Sequence, residues 1–412
     1  MLLKNNRNLL IILSLILFEV GFGITINLVG TISLSELISF IYTIFYIKSS
    51  NLLKNNDFKK IFLLYVLLII SQILSEILVG NNINNSLKGI SIPIISFCHT
   101  FILLQILNRS PKLIIWLLTG IIIRIVIFPS AVEGNTTEAL SGEDAAFLKF
   151  VIAPILINLL LIYSILKNRT KNYILFIGLG TMLITLGARS SGVITFLTGL
   201  ITLFLKNRKY ISLTKLRLYI IFIGIIGYSA YCLYTNMVIT GKINSGNSAQ
   251  LKQVENPYNP INLLMMGRTE TFVGAMAFLE KPFTGWGAWP TDPNAKYHIM
   301  AAELTDKNII LNSLHYFIPS HSILIGTGMQ NGIIALLLTF YILIFYIQKG
   351  LFCIRNKNRY KIVTTLFMIM IIWHMLFSPI TQLRLILPLY MSFILSVKQN
   401  IEYQKYILKN KI

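Results

Sequence analysis

Charge is scarce in this chain. Lys, Arg, Asp and Glu make up 12% of its 412 residues, about half the share usual in soluble domains. Together with 55% hydrophobic residues and a mean hydropathy of +0.71, that scarcity excludes an ordinary soluble globular protein. Carboxylates are scarcer still, with 15 Asp and Glu against 36 Lys and Arg. A basic excess of this kind can signal nucleic-acid binding. Here the cations sit in short clusters between long apolar runs, as membrane insertion requires, so no nucleic-acid partner is expected. Cysteine is limited to Cys98, Cys232 and Cys353, without a CxxC pair or metal-ligand spacing, and these read as packing residues. A P-loop, a GxGxxG turn, an HExxH helix and an Asp-x-Asp pair are all missing. If the chain is an enzyme, it is expected to work without nucleotide recognition, metal or cofactor.

Apolar runs of spanning length are abundant. They fall near 9–29, 31–47, 61–79, 89–107, 113–130, 148–166, 173–188, 191–205, 218–236, 322–347, 362–378 and 383–397. Read as spans, they predict an all-α polytopic membrane protein of about 12 transmembrane helices. Three parts follow: spans over 1–236, one large outer loop over 237–320, and the last spans with a tail over 321–412. The first run is too long, and lacks a small-residue cleavage site, to read as a cleavable signal peptide.

The cations vote on orientation. With both termini cytoplasmic, most Lys and Arg fall in cytoplasmic pieces, and the short outer connections hold only Lys88, Lys149, Arg189 and Arg384. The carboxylates lean the other way, with Asp57 and Glu402 alone on the inner side. This is the positive-inside arrangement.

Two outer segments interrupt the spans. The first, 131–147, carries Glu133, Glu138, Glu143 and Asp144 and reads as a solvated connector. The large loop opens polar, with TGKINSGNSAQ, and then changes character. From Gly267-Arg268 a helical pattern sets Phe272, Met276 and Leu279 on one face, until Lys281-Pro282 stops it. The FTGWGAWP turn that follows has tryptophans suited to a membrane interface. Such a loop is expected to fold against the membrane.

Several polar features stand out. Arg189, in LGARSSG at an outer turn, is either a snorkelling interface anchor or a fork for phosphate oxygens. Arg268 opens the loop helix, where unpaired N–H groups and the dipole favour an anion. Its alternative is a surface charge paired with Glu270. His321, in IPSHSILIGTGMQNG, stands where the tenth span begins, with Ser320 as a candidate N-cap. A histidine in a first helical turn tends towards the neutral form that accepts a proton; its alternative is a capping role. Tyr316, Ser320 and Ser322 add hydroxyls at the same place. Glu19, Glu36, Glu76 and Arg124 fall inside apolar runs, where ionisable groups mark function by default unless they pair within the bundle.

Three motifs in this order resemble the family of O-antigen ligases and Wzy-type O-antigen polymerases: GARSSG, then GRTETFVGAMAFLEKPFTGWG, then HSILIGTGMQNG. The match covers about residues 175–345. The resemblance implies an all-helical membrane glycosyltransferase of the GT-C-like type in a bacterial inner membrane, acting on the periplasmic face in lipopolysaccharide or related polysaccharide biosynthesis. It implies a metal-independent transfer of glycan from undecaprenyl pyrophosphate, with Arg189 and Arg268 holding the pyrophosphate and His321 deprotonating or positioning the acceptor. Arg384, in the last outer turn, is a further candidate basic group, and Tyr316 and Ser322 are candidate substrate contacts. A chain-length regulator is a candidate partner.

The chain departs from the family at one point. Many ligases have a carboxylate a few residues after the histidine, whereas here Gly326, Thr327 and Gly328 follow. That tilts the expectation to a polymerase, with a ligase acting on lipid A–core as the alternative. A non-enzymatic polysaccharide or lipid transporter is the competing class; it would place its essential groups at mid-membrane, along the lines of Glu19, Glu36, Glu76 and Arg124.

Overall fold

A computed structural model describes residues 2–27, 29–129, 147–167, 172–205, 213–241, 256–259, 262, 268–304, 317–356 and 358–409. The acidic connector up to residue 146, the polar opening of the large loop and Tyr316 lie outside the described residues.

The described chain is helical almost throughout. In order its helices are α1 (Leu2–Val20), α2 (Leu34–Tyr46), α3 (Asn56–Val79), α4 (Ile83–Arg109), α5 (Ile114–Ile127), α6 (Ala153–Lys167), α7 (Asn172–Thr185), α8 (Arg189–Leu205) and α9 (Leu213–Ile239). The loop contributes α10 (Thr269–Glu280) and α11 (Lys296–Glu303); then come α12 (Ile323–Arg355), α13 (Lys361–Phe377), the short α14 (Gln382–Leu385) and α15 (Leu387–Lys409). Among the described residues, 4 helices are long and apolar enough to cross a membrane: α3, α4, α6 with the π turn before it, and α12. Shorter apolar helices surround them.

One expected span boundary changes. The runs near 9–29 and 31–47 do not meet at a tight helical turn. Strands β1 (Thr25–Asn27) and β2 (Thr31–Ser33) pair antiparallel between α1 and α2. The strands read Thr-Ile-Asn and Thr-Ile-Ser, and β-branched residues favour the extended chain. Helix resumes because Ser33 and Glu36 form a reciprocal capping box, which stabilises the first turn of α2.

Local signals set the other boundaries. Asn55 caps α3 by accepting from the Asp57 and Phe58 amides, and Gly80 ends that helix in the left-handed conformation. Asn82 then caps α4. α4 is the hub, packing against α2, α3 and α15. In its most apolar window 72% of residues are buried, against 39% in α3, so α4 lies inside the bundle and α3 at its edge. In the α7–α8 hairpin, Gly180 sits against the Phe196 backbone so closely that a Cβ there would lie 2.4 Å from the Phe196 nitrogen. Such small-residue contacts are the usual means of helix approach in a membrane.

The two ends of the bundle differ. At one end, Asp57 takes Lys349 at 2.8 Å and Lys398 at 2.7 Å, and Lys398 also takes Glu402 at 2.7 Å. Asp57 and Glu402 are the two carboxylates assigned to one side from sequence, and they meet here. The loop with α10 and α11 covers the other end.

The loop is built into α12 rather than laid on it. α12 is interrupted at Gly332, with φ 79° and ψ −177°. Across the break, the loop backbone replaces the lost helical hydrogen bonds: Ile333 N donates to Pro282 O, Trp286 N to Met329 O and Gly287 N to Gln330 O. A Cβ at Gly332 would lie 2.0 Å from Phe283 O, so this wedge needs glycine for space as well as for φ.

Candidate functional site

α10 has two distinct faces. Val273, Gly274 and Ala277 are buried, whereas Met276 and Leu279 are exposed. Small side chains admit the neighbouring chain: the backbone of Pro319 and the side chain of Ser320 pack against Gly274. The larger Met276 and Leu279 face outwards, so the small residues pack inward and the expected apolar stripe lies on the outer side. The tryptophans are also corrected in part. Trp286 packs edge-on to Tyr297, with ring centroids 5.9 Å apart, and donates Nε1–H to Ala277 O at 2.7 Å. It belongs to a small core with Val273, Ala277, Tyr297, Ile318 and Met329. Phe283, 81% exposed, is the aromatic that faces outwards.

This core brings α10 and the entry to α12 together. His321 Nδ1 lies 2.6 Å from Glu270 Oε2, and Thr271 Oγ1 donates to the His321 carbonyl at 3.3 Å. The N-cap of α12 is Ser322, which accepts from Ile325 N and donates to Met375 O. His321 therefore precedes the cap instead of lying in the first turn. Ser320, the expected cap, is left with a buried hydroxyl that has no hydrogen-bond partner. The group that acts on His321 is Glu270, which the sequence offered only as a neighbour for Arg268.

Glu270 is surrounded by cationic or protonatable groups. The hydrogen bond from His321 lowers its pKa most, with further lowering from the charges of His321, Arg268 and His298 against a smaller opposing cost of burial. Arg268 itself sits over the Trp373 ring at 5.6 Å, near the end of α13. His298, on α11, is oriented by Asp292: Nδ1 lies 2.7 Å from Oδ2, and the same carboxylate accepts the Tyr297 and His298 amides. Asp292 and His298 went unnoticed in sequence because 6 residues separate them and neither belongs to a recognised motif.

Arg189 opens α8 and donates from Nη2 to the Tyr234 hydroxyl of α9 at 2.7 Å. Its place relative to α13 follows from a contact at the far end, where Lys361 Nζ donates to Leu205 O. α8 and α13 are both 17 residues long and pack together. They therefore run antiparallel from that contact, and Arg189 finishes at the Trp373–Phe377 end. Arg189, Arg268 and His321 thus share one end of the bundle.

Arg384 is committed elsewhere. Its Nε lies 3.4 Å from Glu36 Oε1, and its Nη2 donates to Thr31 O at 3.0 Å. Its carbonyl meets His99 Nδ1 at 3.2 Å. Nearby, Arg124 faces Glu19 at 3.9 Å and lies over the Phe22 ring.

Glu76 accepts from Asn81 Nδ2 (2.8 Å), Ser86 Oγ (2.7 Å), Ala288 N (2.7 Å) and Asn331 Nδ2 (3.1 Å). It ties the Gly-Trp-Gly turn to three helices. Each of the four buried ionisable groups therefore has a partner within the bundle or its loop. Among the described residues no group of three or more His, Cys, Asp or Glu has a metal-binding arrangement.

No protein-family model matches the chain, and no curated protein matches it at a significant level.

Proposed function

We propose that this chain is a membrane glycosyltransferase that joins polyprenyl-pyrophosphate-linked glycan units, as an O-antigen polymerase does, on the periplasmic face of a bacterial inner membrane. The observation that carries the reading is the His321–Glu270 contact of 2.6 Å, with Arg268 beside it at the loop-covered end. In the reaction, an acceptor hydroxyl attacks the anomeric carbon of the donor glycan. The C–O bond to the pyrophosphate breaks, and its electron pair leaves with the phosphate oxygen.

Each group has a task in that step. A neutral His321 that donates Nδ1–H to Glu270 leaves the Nε2 lone pair to take the acceptor's proton. Glu270 fixes the ring's orientation, as a third group does in other nucleophile–base pairs. Arg268 and Arg189 stabilise the charge that collects on the leaving pyrophosphate. The buried Ser320 hydroxyl and the Ser322 cap lie beside His321 on the same segment. The twelve-span, GT-C-like arrangement with cytoplasmic termini belongs to the same proposal.

The ligase alternative is supported by one feature. Glu270 supplies from the loop helix the carboxylate that is missing after His321. The transporter reading is weakened, because Glu19, Glu36, Glu76 and Arg124 are paired rather than ranged along a pathway.

Deletion in the host, followed by sizing of its surface polysaccharide, separates the readings. Core with a single repeat and no longer chains supports the polymerase. Core without any repeat, while lipid-linked polymer accumulates, means ligase. Unchanged long chains would remove the enzyme reading. Complementation with Arg189→Ala, Arg268→Ala and His321→Ala at normal protein levels then tests the site; if all three restore long chains, the assignment is wrong.

A further inference from the structure

A separate pocket opens at the end of the bundle away from the loop. Its volume is about 360 Å³, and it is lined by Tyr42, Tyr46, Ser49, Ser50, Asn51, Leu52, Gln105 and Asn108. α4 joins the two regions: Gly89 touches Ala288 of the loop, and Asn108 lies nineteen residues further along. At about 1.5 Å per residue that is about 28 Å, close to the hydrocarbon thickness of a bilayer. The pocket therefore lies roughly one membrane thickness from the His321 site and takes no part in its chemistry.

We propose that this pocket binds the hydroxylated phosphate headgroup of an anionic phospholipid, of the phosphatidylglycerol kind. The lining is neutral and rich in hydrogen-bonding groups, as a polyol needs. Gln105 Nε2 donates to Ser50 Oγ, which sets the amide in place, while the Asn108 side-chain oxygen is buried without a partner. Tyr42 and Tyr46 stack with ring centroids 4.6 Å apart, so their faces and hydroxyls form a wall of the pocket. Tyrosine at this depth is the usual residue of a membrane interface.

The phosphate has cations to meet. Lys48, Lys54, Arg109 and Lys112 flank the lining residues in the chain, and all four are exposed. None has a carboxylate partner among the described residues. Retention of positive charge at one membrane face accounts for the cations, but not for a neutral, tyrosine-walled cavity between them.

The neighbouring surface points to a lipid instead of a soluble phosphate. Ile38, Ile41 and Phe45 are exposed along α2, one stripe away from Tyr42 and Tyr46. Acyl chains lie along that stripe when the headgroup fills the pocket.

Native mass spectrometry of the full chain in detergent, titrated with short-chain phosphatidylglycerol or phosphatidylcholine, tests this. Phosphatidylglycerol is expected to bind at least fivefold more tightly. Tyr46→Phe with Ser49→Ala, both at exposed side chains, and separately Asn108→Ala, are expected to weaken it by at least fivefold while the thermal melt of the lipid-free protein stays unchanged. Free glycerol phosphate competing only at far higher concentration supports the lipid. Competition at equal concentration would overturn the lipid in favour of a soluble polyol phosphate. Equal binding of the two lipids, or undiminished binding by both variants, would overturn the site.

Discussion

Replacing Glu76 by alanine probes how the outer loop is held. The Glu76 side chain is buried, and its carboxylate receives four hydrogen bonds at 2.7 to 3.1 Å. An ionised carboxylate only accepts, so four donors suit it. Hydrogen bonds to a charged group are worth about 1.5–3 kcal/mol each, and those that share one acceptor do not add. Removing the shared acceptor strands buried donors, at about 1–3 kcal/mol each. A loss of about 3 kcal/mol raises the open population of the 284–288 turn about a hundredfold, at about 1.4 kcal/mol per factor of ten.

Hydrogen exchange read by mass spectrometry reports that opening through the amides of Trp286, Gly287 and Ala288, which donate to Met329 O, Gln330 O and Glu76. In Glu76→Ala these amides are expected to exchange about a hundredfold faster, while those of α4 and α15 keep their protection. Glu76→Gln should fall between, because its amide keeps one accepting oxygen but turns an NH2 towards Asn81 and Ser86. Unchanged exchange over 284–288 in Glu76→Ala would refute the reasoning.

Three further outcomes are expected. His321→Ala lowers chain extension by purified protein about 10²- to 10⁴-fold, and Glu270→Gln produces a smaller drop of about tenfold at unchanged protein level; wild-type rates in Glu270→Gln would remove its orienting role. Because the Glu270 pKa is lowered, chiefly by the hydrogen bond from His321, the stabilisation it contributes is complete above the ordinary carboxylate range and lost as pH falls through the lowered value. Protection of the 319–322 backbone should accordingly persist at pH 5 and decline only at more acid pH, as hydrogen exchange against pH can check. Gly332→Ala forces a Cβ to within 2.0 Å of Phe283 O at a φ of 79°, a strain and clash of about 3 kcal/mol or more, read as a lower melting temperature in detergent.

Much of the architecture was legible along the chain. Long apolar runs and scarce charge announce helices of membrane-crossing character, because a backbone in lipid has to satisfy its own hydrogen bonds. The placing of Asp57 and Glu402 on one side from their neighbours' charge agrees with their meeting around Lys398. Lys281-Pro282 marked the end of α10, which closes at Glu280, since proline restricts the residue before it whatever the tertiary setting. The candidate residues Arg189, Arg268 and His321 were visible as polar exceptions at the edges of apolar runs.

Other features depended on which surfaces met. The stripe of α10 that turns inward is the small one, Val273 and Ala277, because close approach by Ser320 and α12 outweighs the burial of Met276 and Leu279. The β1–β2 hairpin and the break at Gly332 arise where two segments exchange backbone hydrogen bonds, and a linear pattern does not carry partners. Glu270 became the partner of His321, fifty-one residues away, and Glu76 that of Ala288, through long-range packing. Periodicity and composition report the environment each residue seeks; its partner is settled when distant segments compete for the same space and the same unpaired donors.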